Sequence, residues 1–146
     1  YGLRERVELV QGDLFAPVRN RRFDLVLCNP PYVNDASMQA LPPEFRAEPR
    51  AALAGGHDGM DLVRRLLADA PAHLCEDGLL LLEIGHEAAH FEAAFPSLEF
   101  HYLPVAAGER MLVLVEAAQL AAAARRARAR RPASRTAATR PRARRP

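Results

Sequence analysis

The sequence predicts an α/β fold in which strands and helices alternate and an antiparallel hairpin completes the sheet. Two short, almost continuous apolar segments, 23–28 and 79–84, are typical of buried strands. An amphipathic helical pattern lies between them, and two further strand-like segments follow, separated by a short loop that contains a glycine. The predicted order of elements is therefore β, β, α, β, α, β, β, which is typical of an α/β sheet.

The first predicted strand is 6–11, because polar and apolar residues alternate there until a Gly-Asp pair. The second strand, 23–28, is nearly all apolar, so we expect a central strand with both faces covered. It ends where Pro30 and Pro31 remove two backbone donors. A polar loop is expected from there to about residue 47.

A helix is predicted to begin near Asp58, which can cap its first turn, with Asp61 three residues later. Its apolar face consists of Leu62, Val63, Leu66, Leu67 and Ala70. Gly78 is expected to start the strand 79–84, and a short helix is expected over 86–95. The last two strands, 98–103 and 110–116, form the predicted hairpin.

Length and composition restrict the class of protein. The chain has 146 residues, 49% of them hydrophobic, which suits one globular domain. No apolar run reaches the roughly 20 residues that cross a bilayer, and the first residues lack the apolar segment of a secretory signal. Two cysteines cannot form a disulfide framework. We therefore expect a cytoplasmic protein without membrane contact.

Charge is distributed unevenly along the chain. Residues 1–120 contain ten arginines and all 18 acidic residues, whereas residues 121–146 contain ten arginines and no acidic residue. Because 121–146 also lack large apolar side chains, we expect a disordered tail, helical at most over its first turns. The simplest interpretation is a solvated appendage. The alternative is non-specific electrostatic contact with RNA or DNA, without aromatic side chains for base stacking.

The strongest functional signal is Asn29-Pro30-Pro31-Tyr32, directly after the second strand. Ligands of open α/β sheets bind beyond the carboxyl ends of strands. The side-chain oxygen of Asn29 and the carbonyl of Pro30 can accept both hydrogens of a planar amino group. The prolines restrict the loop, and Tyr32 offers a ring for stacking on a planar substrate. The alternative is a turn that only ends the strand.

This tetrapeptide resembles the Asn/Asp-Pro-Pro-aromatic loop of amino-methyltransferases that use S-adenosylmethionine. The flanking sequence is similar to the N(5)-glutamine protein methyltransferases in residues 33–35, 41–49, 52–54 and 56–65. Within that family, Leu41-Pro42-Pro43-Glu44-Phe45 is most similar to the members that modify ribosomal protein three of the large subunit. The resemblance covers about residues 1–118.

The resemblance implies the carboxyl half of a Rossmann-like class I methyltransferase sheet in residues 1–118, followed by a disordered tail, 119–146. The strand order that it implies for the whole sheet is 3-2-1-4-5-7-6. It also implies S-adenosyl-L-methionine as the cofactor and no metal ion. The family's glycine-rich cofactor loop is absent from this sequence. We therefore expect a chain that begins near the third strand and is inactive as a fragment.

The resemblance also assigns site residues. Catalysis is expected from Asn29, Pro30, Pro31 and Tyr32. The cofactor is expected to contact Asp13, Leu14, Phe15 and Asn29, with Asp13 accepting from the adenine amino group. The substrate is expected to contact Asn29, Pro30, Tyr32 and Glu48. The residues themselves leave open that Asp13 only caps a turn at the end of a strand and that Glu48 only begins a helix.

Two other observations bear on function. Gly55-Gly56-His57-Asp58-Gly59 is predicted to be a turn between two helices, and the five histidines and two cysteines show no metal-ligand spacing.

The function that the sequence predicts is methylation of a glutamine amide in a ribosomal protein. The alternatives are a release-factor glutamine methyltransferase, a DNA or RNA adenine amino-methyltransferase, against which the acidic body argues, and a non-enzymatic RNA-associating fragment.

Overall fold

The computed structural model of the chain describes residues 2, 3 and 5–130. The described residues form the strands β1 (Phe23–Cys28), β2 (Leu74–Glu83), β3 (His101–Val105) and β4 (Gly108–Glu116). They form the helices α1 (Asp35–Gln39), α2 (Arg50–Leu53), α3 (Asp61–His73), α4 (Ala88–Ala94) and α5 (Ala117–Arg130). Short 3-10 helices span Ala16–Val18 and Pro43–Ala47.

The strands form one mixed sheet in the order β1-β2-β4-β3. β1 runs parallel to β2, and β4 is antiparallel to both of its neighbours. These strands occupy the places of strands 4, 5, 7 and 6 in the order that the sequence predicts. The predicted fold, the carboxyl half of a Rossmann-like sheet that ends in an antiparallel hairpin, is therefore confirmed.

The core covers one face of this sheet. Alternate residues of β2 and β4 point to it and are fully buried, namely Leu80, Leu82, Val113 and Val115. Helices α3 and α5 pack on this face, and the predicted apolar side of α3 is confirmed by buried Val63, Leu66, Leu67 and Ala70. Burial of these side chains supplies the main stabilisation of the fold.

The opposite face of β1 is open. The strand itself is confirmed, but it lies at an edge of the sheet, and Leu25 and Leu27 are 51% and 67% exposed. In this chain the strand is therefore not covered on both faces. It is the exposed edge expected when strands 1 and 2 of the implied order are not beside it. A central, covered strand needs a second strand beside it and a layer of residues over its outer face. The described residues provide neither.

The predicted strand 6–11 is absent from the described part of the chain. Residues 7–11 have no regular structure, and Leu9 is 92% exposed. An isolated strand leaves its backbone donors and acceptors without partners, so the alternating pattern alone does not produce one. The pattern in 6–11 matched a strand, but no described strand lies beside it to complete its hydrogen bonds.

Several element boundaries also differ from the prediction. Helix α3 begins at Asp61 after Met60, while Asp58 accepts a hydrogen bond from the Met60 backbone N–H (3.1 Å) and pairs with Arg64. Gly78 lies inside β2, which begins four residues earlier at Leu74. The polar loop after β1 contains α1 and a 3-10 helix, and α4 is shorter than the predicted 86–95. The hairpin β3–β4 is confirmed.

Residues 121–130 continue helix α5, which agrees with the helix that the sequence allows over the first turns of this segment. Leu120 is buried, and Arg126 donates hydrogen bonds to the Ser97 carbonyl (2.9 Å) and the Glu99 carboxylate (3.1 Å). Alanine has the highest helix propensity, and these contacts hold the helix on the body of the protein. The rest of the predicted tail, 131–146, lies outside the described residues.

Candidate functional site

The Asn29-Pro30-Pro31-Tyr32 loop leaves the carboxyl end of β1. Because β1 and β2 are parallel, the carboxyl ends of both strands meet at the same edge of the sheet. Asn29 is exposed there, Pro30 is buried, and Pro31 and Tyr32 are half-buried. The loop therefore presents the Asn29 side chain to solvent while the residues after it are fixed against the protein.

Tyr32 is held by the end of β2. Its hydroxyl donates a hydrogen bond to the Glu83 carboxylate (3.0 Å), and its ring lies so close to Gly85 that a Cβ there would overlap it. Burial, with the hydrogen bond to Glu83, raises the pKa of Tyr32 to about 12. The phenol therefore stays protonated, and remains a hydrogen-bond donor, over the whole physiological pH range.

Asn34, two residues after this loop, joins it to the start of α4. The Asn34 side-chain oxygen accepts from the Ser37 N–H (2.9 Å) and caps α1. Its amide nitrogen donates to the Glu87 carboxylate (2.7 Å), which also lies 2.5 Å from the His90 ring. Asn34 and Glu87 are each 7% exposed, so this is a buried polar network. Such networks stabilise one arrangement when every member is paired.

This network was not predicted from the sequence. Asn34 is a residue type that caps helices, and Ser37 three residues later completes that local signal. The pairing with Glu87 joins residues 53 positions apart, so neither periodicity nor local spacing indicates it.

The glycine-rich segment 55–59 packs against the backbone that follows Tyr32. Val33 exchanges backbone hydrogen bonds with Leu53 and Gly55, each 2.9 Å long, and the Asp35 N–H donates to the Gly56 carbonyl (3.1 Å). Gly59 has a φ of +78°, and a Cβ on it would overlap the carbonyl oxygen of Tyr32. The segment joins α2 to α3 as predicted, and it also fixes the backbone just after the candidate site.

The predicted cofactor residues form a turn before the first 3-10 helix. Asp13 is exposed, and its carboxylate accepts a hydrogen bond from Arg65 (2.5 Å). Leu14 has a φ of +48°, which is unusual for a residue with a Cβ. The Phe15 ring is buried and stacks on His73 at a centroid distance of 4.4 Å. This turn therefore rests on α3, with only the carboxylate of Asp13 directed to solvent.

Glu48 is exposed at the end of the 3-10 helix Pro43–Ala47, where its backbone N–H donates to the Phe45 carbonyl (3.2 Å). Within the described ranges, no hydrogen bond or ion pair joins Glu48 or Asp13 to the Asn29–Tyr32 loop. The structure thus brings together Tyr32, Glu83 and Gly85, and among the described residues it shows no such contact between this loop and Asp13 or Glu48.

A groove of about 530 Å³ lies elsewhere, between α3, the residues after α4, and α5. Its walls include Leu67, Phe95 and Leu98, with Arg126 and Arg128 on the α5 side. The described residues contain no group of three or more His, Cys, Asp or Glu side chains that could hold a metal ion. No helix in the same residues is long and apolar enough to cross a membrane.

Comparison with known proteins identifies the relatives of this chain. No family model matches it. It is 56% identical over 120 residues to the ribosomal protein uL3 glutamine methyltransferase of Bordetella pertussis. The aligned residues are 82% of this chain and 40% of that protein. The protein of the same name from Burkholderia pseudomallei is 49% identical over 85% of this chain and 43% of its own length. The one from Bradyrhizobium diazoefficiens is 50% identical over 82% of this chain and 38% of its own length. Over more than four fifths of its length, the chain is thus similar to part of these glutamine methyltransferases.

This similarity agrees with the sheet, in which the strands hold places 4, 5, 7 and 6 of the methyltransferase order. The chain spans about two fifths of the length of the methyltransferases that it matches. It is therefore related by family to protein-glutamine methyltransferases, and the recognition made from Asn29 to Tyr32 and the flanking segments is confirmed.

Proposed function

We propose that this chain forms the amide-binding part of an S-adenosylmethionine-dependent methyltransferase that acts on a glutamine side chain of a large-subunit ribosomal protein. The observation that carries the proposal is the fixed loop at the end of β1. Asn29 is exposed, while Tyr32 is anchored on Glu83 and Gly85 directly behind it. A ribosomal substrate also agrees with the cytoplasmic location that the sequence predicts.

The loop can bind a primary amide through its two hydrogens. The side-chain oxygen of Asn29 and the backbone carbonyl of Pro30 are acceptors. Neither proline has a backbone N–H that could act as a donor. A glutamine amide presents two N–H groups in one plane, which matches two convergent acceptors. An ester or a carboxylate has no such pair of donors and would leave the acceptors unpaired.

The chemistry needs orientation more than acid–base assistance. The amide nitrogen is a weak nucleophile because its lone pair is delocalised into the carbonyl. Two acceptors on its hydrogens fix the nitrogen in line for attack and increase its electron density. Positioning of this kind supplies large effective molarities, on the order of 10⁵ M or more. The proton that the product loses can leave to water.

S-adenosylmethionine, when bound, supplies an electrophilic methyl group. On this chain Asp13 fits the adenine end of it best, because its exposed carboxylate can accept from an amino group. Leu14 and Asn29 complete the proposed contacts. The Phe15 ring is stacked on His73, so its role in the proposal is to hold the turn in place. Glu48 is exposed and is proposed to contact the substrate backbone.

The test uses a chimera in which the amino-terminal part of the Bordetella relative is joined to this chain. Single-turnover methylation of large-subunit ribosomal protein is measured with Asn29→Ala. We expect the rate to fall roughly 10²–10³-fold, or about 3–4 kcal/mol in the transition state, because one acceptor of the amide is lost. The dissociation constant of the cofactor should change little.

Gln39→Ala, which changes an exposed amide on α1, is the control and should keep the full rate. If Asn29→Ala retains more than half of the wild-type rate, the loop does not hold the substrate amide. If the intact chimera methylates no ribosomal protein but acts on DNA or a release factor, the proposed substrate class is wrong.

A further inference from the structure

We infer that helix α5 presents a binding surface for a single-stranded nucleic acid, recognised through its phosphates. Arg125 and Arg128 lie three residues apart on α5, so they share one face of the helix. Both are exposed, and no ion pair to either is seen among the residues that the structure describes. The inference concerns a surface away from the candidate amide site and does not depend on methyl transfer.

Helix α5 is seated firmly enough to display these side chains. Its first turns pack on α3 and the sheet through Leu120, and the neighbouring alanines are half-buried. Arg126 is used as an anchor, since it donates hydrogen bonds to the Ser97 carbonyl and to Glu99. The helix therefore holds Arg125 and Arg128 on a fixed base, with Arg128 at the wall of the groove beside α3, so less conformational entropy is lost when a ligand binds.

The charge of this region is one-sided. Ten arginines and no acidic residue lie in 121–146, whereas the remaining 120 residues contain ten arginines and 18 acids. A polyanion is therefore attracted to this end of the chain and repelled by the rest. Guanidinium groups bind phosphates through two parallel hydrogen bonds, and each neutralised phosphate releases a counterion.

The composition favours a nucleic acid over an acidic protein as the ligand. Protein interfaces depend on a few large apolar or aromatic anchors. Residues 121–146 consist of Ala, Arg, Pro, Ser and Thr alone and contain no such anchor. Binding to a phosphate backbone needs only charge. The absence of aromatic residues in this segment also predicts binding without base preference.

The test measures fluorescence anisotropy of a labelled 20-nucleotide U-rich RNA with the full 146-residue chain, between 50 and 200 mM salt. The variant Arg125→Gln/Arg128→Gln should weaken binding at least about tenfold at 50 mM salt. It should also lower the slope of log affinity against log salt by about 1.4, which is the expectation for two phosphate contacts on a single strand. Glutamine keeps helix propensity, and far-UV circular dichroism confirms that α5 is retained.

The matched control is Arg19→Gln/Arg21→Gln, which removes the same charge from exposed positions on the body. It should change affinity less than threefold, and a DNA strand of the same length should bind as well as the RNA. The inference is overturned if both double variants weaken binding equally, or if affinity is independent of salt. It is also overturned if polyglutamate displaces the RNA at an equal concentration of charge, since the ligand would then be an acidic protein.

Discussion

The two ends of strand β1 differ in how many contacts fix the backbone. At the carboxyl end, the backbone of residues 32–35 is fixed by the glycine-rich segment, by Glu83 and by Glu87. At the amino-terminal side and along the outer edge, Leu25 and Leu27 are exposed, and residues 7–11 have no regular structure. We call the first region, 32–35, the anchored loop and the second, β1 together with 7–11, the open edge.

This difference shows which part of the candidate site is fixed by contacts within the described residues. All partners of the anchored loop lie between residues 37 and 87, within the chain itself. The open edge lacks a neighbouring strand in the described residues, so its backbone groups face solvent. Substitutions in the anchored loop should therefore alter stability strongly, and substitutions at the open edge should alter association instead.

The largest effect is expected at Gly59. Gly59→Ala places a Cβ against the Tyr32 carbonyl at a φ of +78°, and we expect the free energy of unfolding to fall by about 3 kcal/mol. Urea denaturation measures this. Gly2→Ala is the control, because Gly2 also has a positive φ but has nothing within 4 Å of a Cβ. Equal losses in the two variants would show that the close approach at Gly59 contributes nothing.

A smaller effect is expected at Tyr32. Tyr32→Phe removes the hydrogen bond to Glu83 and should cost about 1 kcal/mol at pH 7. The folded pKa of about 12 lies above the unfolded value of about 10. The wild-type contribution is thus complete below pH 10 and is lost as pH rises through 12.

Phenolate absorbance follows this titration directly. The transition near pH 12 should disappear in Tyr32→Phe and persist in Tyr102→Phe, which alters the other tyrosine with a raised pKa. A Tyr32→Phe protein whose stability declines between pH 10 and 12 as steeply as the wild type would show that Tyr32 is not the group responsible.

The smallest effect on stability is expected at the open edge. Leu27→Lys changes an exposed side chain, so the free energy of unfolding should change by no more than about 0.5 kcal/mol. We expect the wild-type chain to self-associate through this unpaired apolar edge, and the same variant should be a monomer because it adds charge there. Sedimentation velocity measures this. Val105→Lys on β3, at the other edge of the sheet, should leave the association unchanged.

The elements of the fold were predictable where the local sequence pattern alone determines the secondary structure. The apolar runs located β1 and β2, and the helical period located the buried side of α3. The strand predicted at 6–11 failed because a strand requires a neighbour, which a local pattern cannot reveal. A helix over the first turns of the tail was allowed by its alanine content, but the contacts of Leu120 and Arg126 that hold α5 on the body involve distant residues and were not predictable.

The candidate site was predictable from Asn29 to Tyr32, and the family it indicates is confirmed. The supports of that loop were not predictable, since Tyr32–Glu83 and Asn34–Glu87 join residues more than 50 positions apart. All of the assigned roles stay predictions. These are catalysis by Asn29, Pro30, Pro31 and Tyr32, and the cofactor and substrate contacts of this loop and of Asp13, Leu14, Phe15 and Glu48.

The parallel pairing of β1 with β2 also has a kinetic consequence. Phe23 pairs with Leu74, so the pairing closes a loop of about 50 residues, whereas the hairpin β3–β4 closes over only a few. Loop closure costs entropy before the contacts form, and non-local pairings slow folding. We therefore expect the hairpin to form early, and the loop from Asn29 to Tyr32 to reach its final shape only after the long-range pairing of β1 with β2.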